Sequence, residues 1–289
     1  MSKIDGIIRY KKQFKNYIPV IFKMVFKGYP IEVIYRNGDS LTVLNSGFLH
    51  FASSGLHFNY EKNSDLLTFR YNNIDLYFYG SFYNNDFCDT YGFRTYSHLN
   101  VDGKIVIDVG ANIGDTAIYF AIKGAKKVIA VEPVPFAFRY LIKNIAFNNM
   151  SNIIISMNIG IGKSEKEIKI KDEEMDVTGI YVHDERDGKT VKITTLTNLI
   201  KENKLGDNLV LKMDCEGCEF DSLLNEDENT LKAFSEIIME YHNYPYDLIK
   251  TLLSLNFEVT VNDVNIIDLT KILGKILRSH IGYIYAKQL

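Results

Sequence analysis

The sequence offers no run of about 18 consecutive apolar residues, so no segment is expected to cross a bilayer as a helix. Its first residues lack the compact apolar core and small-residue cleavage site of a signal peptide, and the expected location is the cytoplasm. Cysteine is sparse, with only Cys88, Cys215 and Cys218. An odd, low count fits a reducing compartment and argues against a disulfide framework. Neither sign of charge prevails: 33 Lys and Arg stand against 36 Asp and Glu, a net charge of −3. That balance supplies no global basic field for a nucleic acid. Tryptophan is absent, which bears on no mechanism. There is no internal repeat and no low-complexity segment.

What is present is an ordinary globular composition, 46% hydrophobic and 24% charged over 289 residues. The length suits one large domain or two smaller ones. Residues 1–30 read as a helical region, because Ile4, Ile7, Ile8, Phe14, Tyr17, Ile18, Ile21, Phe22 and Val25 fall mostly at helical spacing over 4–27. Arg9, Lys11, Lys12, Lys15, Lys23 and Lys27 give that helix a basic side. The plain reading is a helix packed on the body of the protein. The alternative is peripheral contact with a membrane, on its cytoplasmic face, or with an acidic partner.

Residues 31–98 read as a β-rich accessory region. Ile31–Arg36 and Asp39–Leu44 flank Asn37-Gly38, a strong hairpin signal. Leu66–Tyr71 and Ile74–Tyr79 flank Asn72-Asn73, and asparagine tolerates the left-handed backbone of a tight turn. Aromatic residues crowd here: Tyr71, Tyr77, Phe78, Tyr79, Phe82, Tyr83 and Phe87. Most are expected in the core, with a few free to stack on an acceptor such as a sugar ring. The polar stretch Asn84-Asn85-Asp86 opens a boundary zone near 84–100.

From Lys104 the pattern changes to alternating strands and helices. Lys104–Val109, Val128–Val131 and Ile153–Met157 read as buried strands, separated by helices over Asp115–Lys123 and from Pro135 onward. Such alternation predicts an α/β fold with a Rossmann-like, doubly wound, mostly parallel sheet over 99–289.

The first strand–loop–helix unit carries the chemical signal. It reads Asp108-Val109-Gly110-Ala111-Asn112-Ile113-Gly114-Asp115. Gly110 lets the chain turn sharply, and Gly114 allows close approach at the helix entrance. The helix N-terminus offers N–H groups to an anion. A dinucleotide fingerprint has glycine in the middle position, to admit a pyrophosphate, where this chain has Asn112. The loop therefore suits a cofactor without a pyrophosphate. Glu132, at the end of the second strand, is placed to accept two ribose hydroxyls.

The run Asp108–Asp115, the strand ending at Glu132-Pro133, the segment Leu211-Lys212-Met213-Asp214-Cys215-Glu216-Gly217-Cys218-Glu219 and the later Glu240-Tyr241-His242 together resemble the FkbM-type methyltransferases. The resemblance covers about residues 86–286. It implies a class I methyltransferase fold, S-adenosyl-L-methionine as cofactor with S-adenosyl-L-homocysteine as product, and methylation of oxygen on sugars or related small acceptors. In that setting the loop N–H groups would face the cofactor's carboxylate and Asp108 its ammonium group. Asp108, Gly110, Ala111, Asn112, Gly114, Asp115, Glu132, Pro133 and Asp214 are the expected cofactor contacts, and Asn158 and Ile159 are expected near the adenine.

Asn208–Met213 reads as a buried strand with Asp214 at its carboxyl end, where ligands bind in open α/β sheets. By the resemblance this is the strand bordering the transferable methyl. Methyl transfer needs an aligned nucleophile, exclusion of water and removal of a proton from a hydroxyl acceptor. Asp214, Glu216 and His242 are the candidate catalytic groups, and His242 has the side chain best suited to accept a proton near neutral pH. Glu219 and Glu240 are candidate acceptor contacts. For each acid the competing reading is a helix-capping role. Asp214, Glu216, Glu240 and His242 could together hold a divalent ion, but no spacing motif enforces it, and no metal is expected. Cys215-x-x-Cys218 lacks a second ligand pair for zinc, and the two thiols are read as small buried side chains. Residues 172–190, polar and glycine-containing, are expected to form a lid over the acceptor.

Particular residues oppose three other functions. An RNA methyltransferase is opposed by the acidic mouth, since nucleic-acid phosphates are repelled by it. A non-catalytic protein retaining the fold is opposed by the intact glycines and acids. An NAD-dependent oxidoreductase is opposed by Asn112.

Overall fold

The computed structural model describes residues 3–81, 87–172, 184–241, 245–261, 264–265 and 282–289. The chain divides into two compact units, Met1–Thr95 and Tyr96–Leu289.

The first unit runs α1 (Lys3–Gln13), α2 (Tyr17–Val25), β1 (Ile31–Ile34), β2 (Ser40–Val43), α3 (Ser46–Ser53), β3 (Phe58–Glu61), β4 (Leu66–Tyr71) and β5 (Ile74–Tyr79), then a π-helical turn at Cys88–Gly92. Both expected hairpins form, β1 with β2 and β4 with β5, and β3 joins β4. The single helix expected over 4–27 is instead two. Phe14 is fully buried and bridges to Tyr35, while the Asn16 amide donates to Glu32 O and accepts from Ile34 N, each at 2.8 Å. Pairing with β1 thus diverts the Lys15 N–H, which donates to Ile34 O at 2.7 Å in place of a helical carbonyl. Pro19 was the available signal: a proline is tolerated in a helix's first turn but breaks its middle. Helix α3, capped by Asn45 through Phe48 N, and strand β3 have no counterpart in the sequence reading. The aromatic crowding resolves into a core. Phe51, Phe58, Phe69, Phe78, Phe87 and Tyr91 are buried, with ring centroids about 5–6 Å apart in edge and stacked pairs. Phe82 and Tyr83 lie outside the described residues.

The second unit runs β6 (Ile105–Val109), α4 (Asp115–Ile122), β7 (Lys127–Val131), α5 (Pro135–Phe147), β8 (Ile154–Met157), β9 (Ile159–Ile161), β10 (Lys166–Ile170), β11 (Lys189–Thr194), α6 (Leu196–Glu202), β12 (Leu209–Met213), α7 (Cys218–Leu223), α8 (Glu228–Lys232), β13 (Phe234–Tyr241), α9 (Tyr246–Ser254), β14 (Phe257–Val261), β15 (Val264–Asn265) and β16 (Gly282–Gln288). Eight strands make one sheet in the order β15-β14-β16-β13-β12-β6-β7-β8. The run β13-β12-β6-β7-β8 is parallel. Strand β16 enters antiparallel between β13 and β14. A dinucleotide fold keeps the order 3-2-1-4-5-6 without such an insertion. The inserted antiparallel strand departs from that order and fits the Rossmann-like fold that the family resemblance implies.

Parallel strands buried on both faces read as continuous apolar runs, and β6, β7 and β12 are buried along nearly their whole length. The chain order reverses between β6 and β12, so the crevice for a ligand opens at their carboxyl ends. Strands β9, β10 and β11 form a separate three-stranded sheet. Of the expected lid, residues 173–183 lie outside the described residues, and Lys189 and Thr190 already belong to β11. No helix among the described residues is long and apolar enough to cross a membrane.

Candidate active site

The site is built at the carboxyl ends of five neighbouring strands. Parallel pairing sets Lys212 beside Asp108 and Met213 beside both Val109 and Met239. Asp214 therefore leaves the sheet next to the β6 turn on one side and Glu240 on the other.

Beneath the site lies a buried ion pair. Lys212 Nζ stands 3.2 Å from Asp108 Oδ1 and donates to Gly110 O at 2.9 Å. Asp108 Oδ2 accepts from Thr116 Oγ1 at 2.6 Å. Burial works against the lysine's charge, but Asp108, Asp214 and Asp115 outweigh it and hold its pKa above the ordinary value. Asp108, expected to face a ligand's ammonium group, is fully buried; its Oδ2 is taken by Thr116, and its Oδ1 faces Lys212 without a hydrogen bond. Lys212 was missed as a site residue. Its signal was a lysine inside an otherwise apolar strand, since a buried cation must be paired.

The loop after β6 is shaped by close approach. Gly110 has φ of +77°, and a Cβ there would lie 1.7 Å from the Asp214 carbonyl oxygen. No other residue fits between the two crossing loops. The N–H groups of Gly110 and Ala111 both donate to Val131 O at 3.0 Å. Gly114, at φ +95°, precedes α4, and a Cβ there would press Leu141 at 2.8 Å. Asp115 is buried in the first turn of α4. Asn112 takes the left-handed backbone at φ +47°, and its N–H donates to Glu132 Oε2 at 2.8 Å.

Glu132 ties this loop to the end of β7, for its Oε1 accepts from Val134 N, also at 2.8 Å. Burial pushes its pKa up to about 7, against the pull of the Val134 and Asn112 N–H groups and Lys212. A carboxylate offers about four lone-pair sites, so each oxygen keeps one beyond its backbone bond. The turn itself is held by Asn158, whose Nδ2 donates to Glu132 O at 2.8 Å and Pro133 O at 3.1 Å. Asn158, expected beside an adenine, thus has its amide N–H groups turned to the backbone. Ile159 packs against the main core, and its backbone pairs with Lys192.

The loop after β12 is tightly bound to itself. Asp214 is half-buried, as are Cys215 and Glu216. Glu216 and Gly217 have successive positive φ, +54° and +113°. Glu219 is fully buried, and its carboxylate accepts from Cys215 N at 3.0 Å and Gly217 N at 2.9 Å. It was expected to meet an acceptor; it holds the loop instead. Cys215 and Cys218 form a disulfide across the same turn, with Cα atoms 5.6 Å apart. That corrects the reading of two separate thiols: the Glu216-Gly217 turn brings the two cysteines within bonding reach. A left-handed non-glycine residue at a strand end is costly and is kept where neighbours over-determine it, often at functional loops.

Glu240, the last residue but one of β13, is half-buried opposite Tyr283 of β16. His242 lies outside the described residues. Among those described, no group of three His, Cys, Asp or Glu is placed to hold a metal ion. The expected residues thus divide. Asp214, Glu216, Glu240, Glu132 and the Gly110–Asp115 loop lie at or beyond the carboxyl ends of neighbouring strands, while Asn158 and Glu219 bond to the protein's own backbone and Asp108 lies buried beside Lys212.

The residues also fit a nucleoside cofactor bearing an ammonium group. The Asn112 Oδ1 atom is a buried acceptor with no partner, on the loop tied to Glu132. A buried acceptor of this kind is costly unless a donor meets it.

The family model described as "Methyltransferase FkbM domain" matches residues 108–259. "Methyltransferase sdnD" of Sordaria araneosa is 26% identical over 168 residues, covering 47% of this chain and 65% of that protein, just under two thirds of its length. "Uncharacterized protein 158B" of Sulfolobus islandicus rod-shaped virus 1 is 28% identical over 160 residues, 54% of this chain and 74% of its own. Among solved structures, M. capricolum TrmK in complex with S-adenosyl-homocysteine aligns with a TM-score of 0.41 at 10% identity, over 68% of this chain and 66% of that one. With the family match spanning more than half of its length, this chain belongs to the FkbM methyltransferase family.

Proposed function

We propose that the chain is an S-adenosylmethionine-dependent methyltransferase acting on a hydroxyl oxygen of a sugar, glycan or related small acceptor. The observation that carries this reading is the set of carboxylates at one end of the parallel sheet: Glu132 just after β7, Asp214 just after β12 and Glu240 near the end of β13, with β6 between β7 and β12. Polyhydroxylated acceptors are recognised by such acceptor-only groups, each charge-assisted bond contributing about 1.5–3 kcal/mol.

S-adenosylmethionine, when bound, supplies the electrophilic methyl group. Glu132 would hold the ribose hydroxyls through its two remaining lone-pair sites, and Asn112 Oδ1 would take the ammonium group. Asp214 stands where the acceptor hydroxyl arrives. As the oxygen gains its methyl, its proton passes to the Asp214 carboxylate or to His242. Glu216 and Glu240 flank Asp214 and would orient the acceptor's other hydroxyls. Lys212 fixes the floor below, and Glu219 with the disulfide keeps the Asp214 loop from collapsing. Cytoplasmic residence is part of the same proposal; disulfides are rare in that compartment, so the loop's restraint there would rest on Glu219.

The test is transfer of radiolabelled methyl from S-adenosylmethionine into fractionated cell extract, with Asp214→Asn as control. Label in glycan or glycolipid that falls about 10²–10⁴-fold in the variant, the usual contribution of a general base, is the expected result. Label in RNA instead would overturn the acceptor assignment. Full activity in the variant would remove Asp214 from the chemistry.

A further inference from the structure

Helix α2 buries only Val20. On another face Ile18, Phe22, Val25 and Phe26 are 65%, 64%, 63% and 69% exposed. Their spacing of four, three and one places them on one stripe. The rings of Phe22 and Phe26 sit 4.7 Å apart, so the two side chains form a single aromatic surface open to water. On α1, Ile7 and Ile8 are also exposed, at 44% and 59%. Isolated exposed apolar residues are normal, but a contiguous patch of large ones marks a binding surface.

The charge around the stripe is of one sign. Residues 6–31 contain six Lys and Arg and no Asp or Glu, in a chain whose net charge is −3. Arg9 is occupied, half-buried with its guanidinium 4.3 Å over the Phe93 ring. Lys11, Lys12, Lys15, Lys23 and Lys27 are exposed. Lys23 and Lys27 each follow a stripe phenylalanine directly in sequence. An amphipathic helix with aromatic and aliphatic residues on one face and lysines beside it is the pattern that lies in a bilayer interface, with its apolar face among the acyl chains and its amines at anionic headgroups. At nine residues α2 is far too short to span.

We infer that the α1–α2 segment docks the protein on an anionic lipid surface, with Ile18, Phe22, Val25 and Phe26 entering the interface and Lys15, Lys23 and Lys27 facing the headgroups. The binding is peripheral and reversible, and it weakens with salt because its electrostatic part is screened. It is independent of the methyl-transfer reading, since none of these residues belongs to the crevice.

The experiment is co-sedimentation of the full chain with vesicles of phosphatidylcholine alone or mixed with phosphatidylserine, at low and high salt. Wild-type protein is compared with Phe22→Ser/Phe26→Ser and with Lys23→Gln/Lys27→Gln. Binding to the mixed vesicles, weaker at high salt and lowered at least about tenfold by the phenylalanine pair, is expected. The lysine pair lowers it on anionic vesicles. The far-ultraviolet circular dichroism spectrum and the thermal melt, measured alongside, stay at the wild-type values and show that the variants are folded. Absence of binding to either vesicle overturns the inference. So does a concentration-dependent dimer abolished by the phenylalanine pair, which would assign the stripe to a second copy of the chain.

Discussion

Replacing Glu132 by glutamine perturbs the joint from which the cofactor loop hangs. The carboxylate now accepts two backbone N–H groups at 2.8 Å, from Asn112 on one oxygen and Val134 on the other. Glutamine can accept only one of them, and its amide nitrogen then confronts the second as donor against donor. One charge-assisted bond is lost, at about 1.5–3 kcal/mol, and a buried donor is left unmet. The Asn112 backbone, already left-handed, loses its anchor. A bound ribose loses at least one charge-assisted bond of the same size, so S-adenosylhomocysteine affinity is expected to fall about 10- to 150-fold. Titration calorimetry well below the melting temperature measures this directly. Affinity within about threefold of wild type would refute the reasoning, because that difference is under 0.7 kcal/mol and smaller than any charge-assisted bond.

Four further outcomes follow from the same geometry. Glu132 carries a pKa raised to about 7 by burial, so its contribution to folding is complete below its ordinary range near 4.5 and is lost as pH rises toward 7. Cofactor binding has the opposite sign: hydroxyl donors favour the ionised carboxylate, so affinity should strengthen from about pH 6 to pH 8 with proton release, and a flat profile in calorimetry would contradict it. Lys212→Met strands the Asp108 charge in the core and should cost about 3–5 kcal/mol in urea unfolding; adding Asp108→Asn should recover part of it, and no recovery would mean that the pair is not what Lys212 stabilises. Gly110→Ala places a methyl group against the Asp214 carbonyl at a positive φ, so the melting temperature should drop sharply, by the equivalent of about 3 kcal/mol or more, and an unchanged melt would disprove the crossing of the two loops. Glu219→Gln removes one of two acceptors for the Asp214 loop and should destabilise by about 1–3 kcal/mol with the disulfide still formed, which thermal melting and a thiol titration would check together.

Much of the second unit was legible in sequence because its signals are local. Buried parallel strands are continuous apolar runs, and β6, β7 and β12 stand out as such. The Gly110–Gly114 turn needs residues that permit positive φ, so glycine and asparagine announce it. Glu132 and Asp214 are acids directly after apolar strands, a position that in an open sheet points at the ligand crevice. In the first unit, Asn37-Gly38 and Asn72-Asn73 mark the hairpins for the same conformational reason. The break between α1 and α2 was half-legible: Pro19 signals it, but the apolar periodicity running through residues 14–18 masks it.

The direction in which an acid spends its hydrogen bonds was not legible. Asp108, Glu132, Asn158 and Glu219 all carry side chains suited to a ligand, and sequence places them at strand ends or, for Glu219, just beyond the turn that follows one. Only packing shows that Asp108 pairs with Lys212, a residue 104 positions later, that Asn158 holds the turn carrying Glu132, and that Glu219 reaches back to its own loop. The Cys215–Cys218 bond has the same origin, since it depends on the left-handed turn at Glu216 and Gly217. By itself the sequence determined the fold class, the cofactor loop and the set of strand-end acids, because periodicity, turn chemistry and burial are properties of neighbouring residues. The tertiary structure decided which of those side chains bond within the protein, because a buried carboxylate bonds to whatever donor lies within about 3 Å, and that distance is set by the packing of strands far apart in the chain.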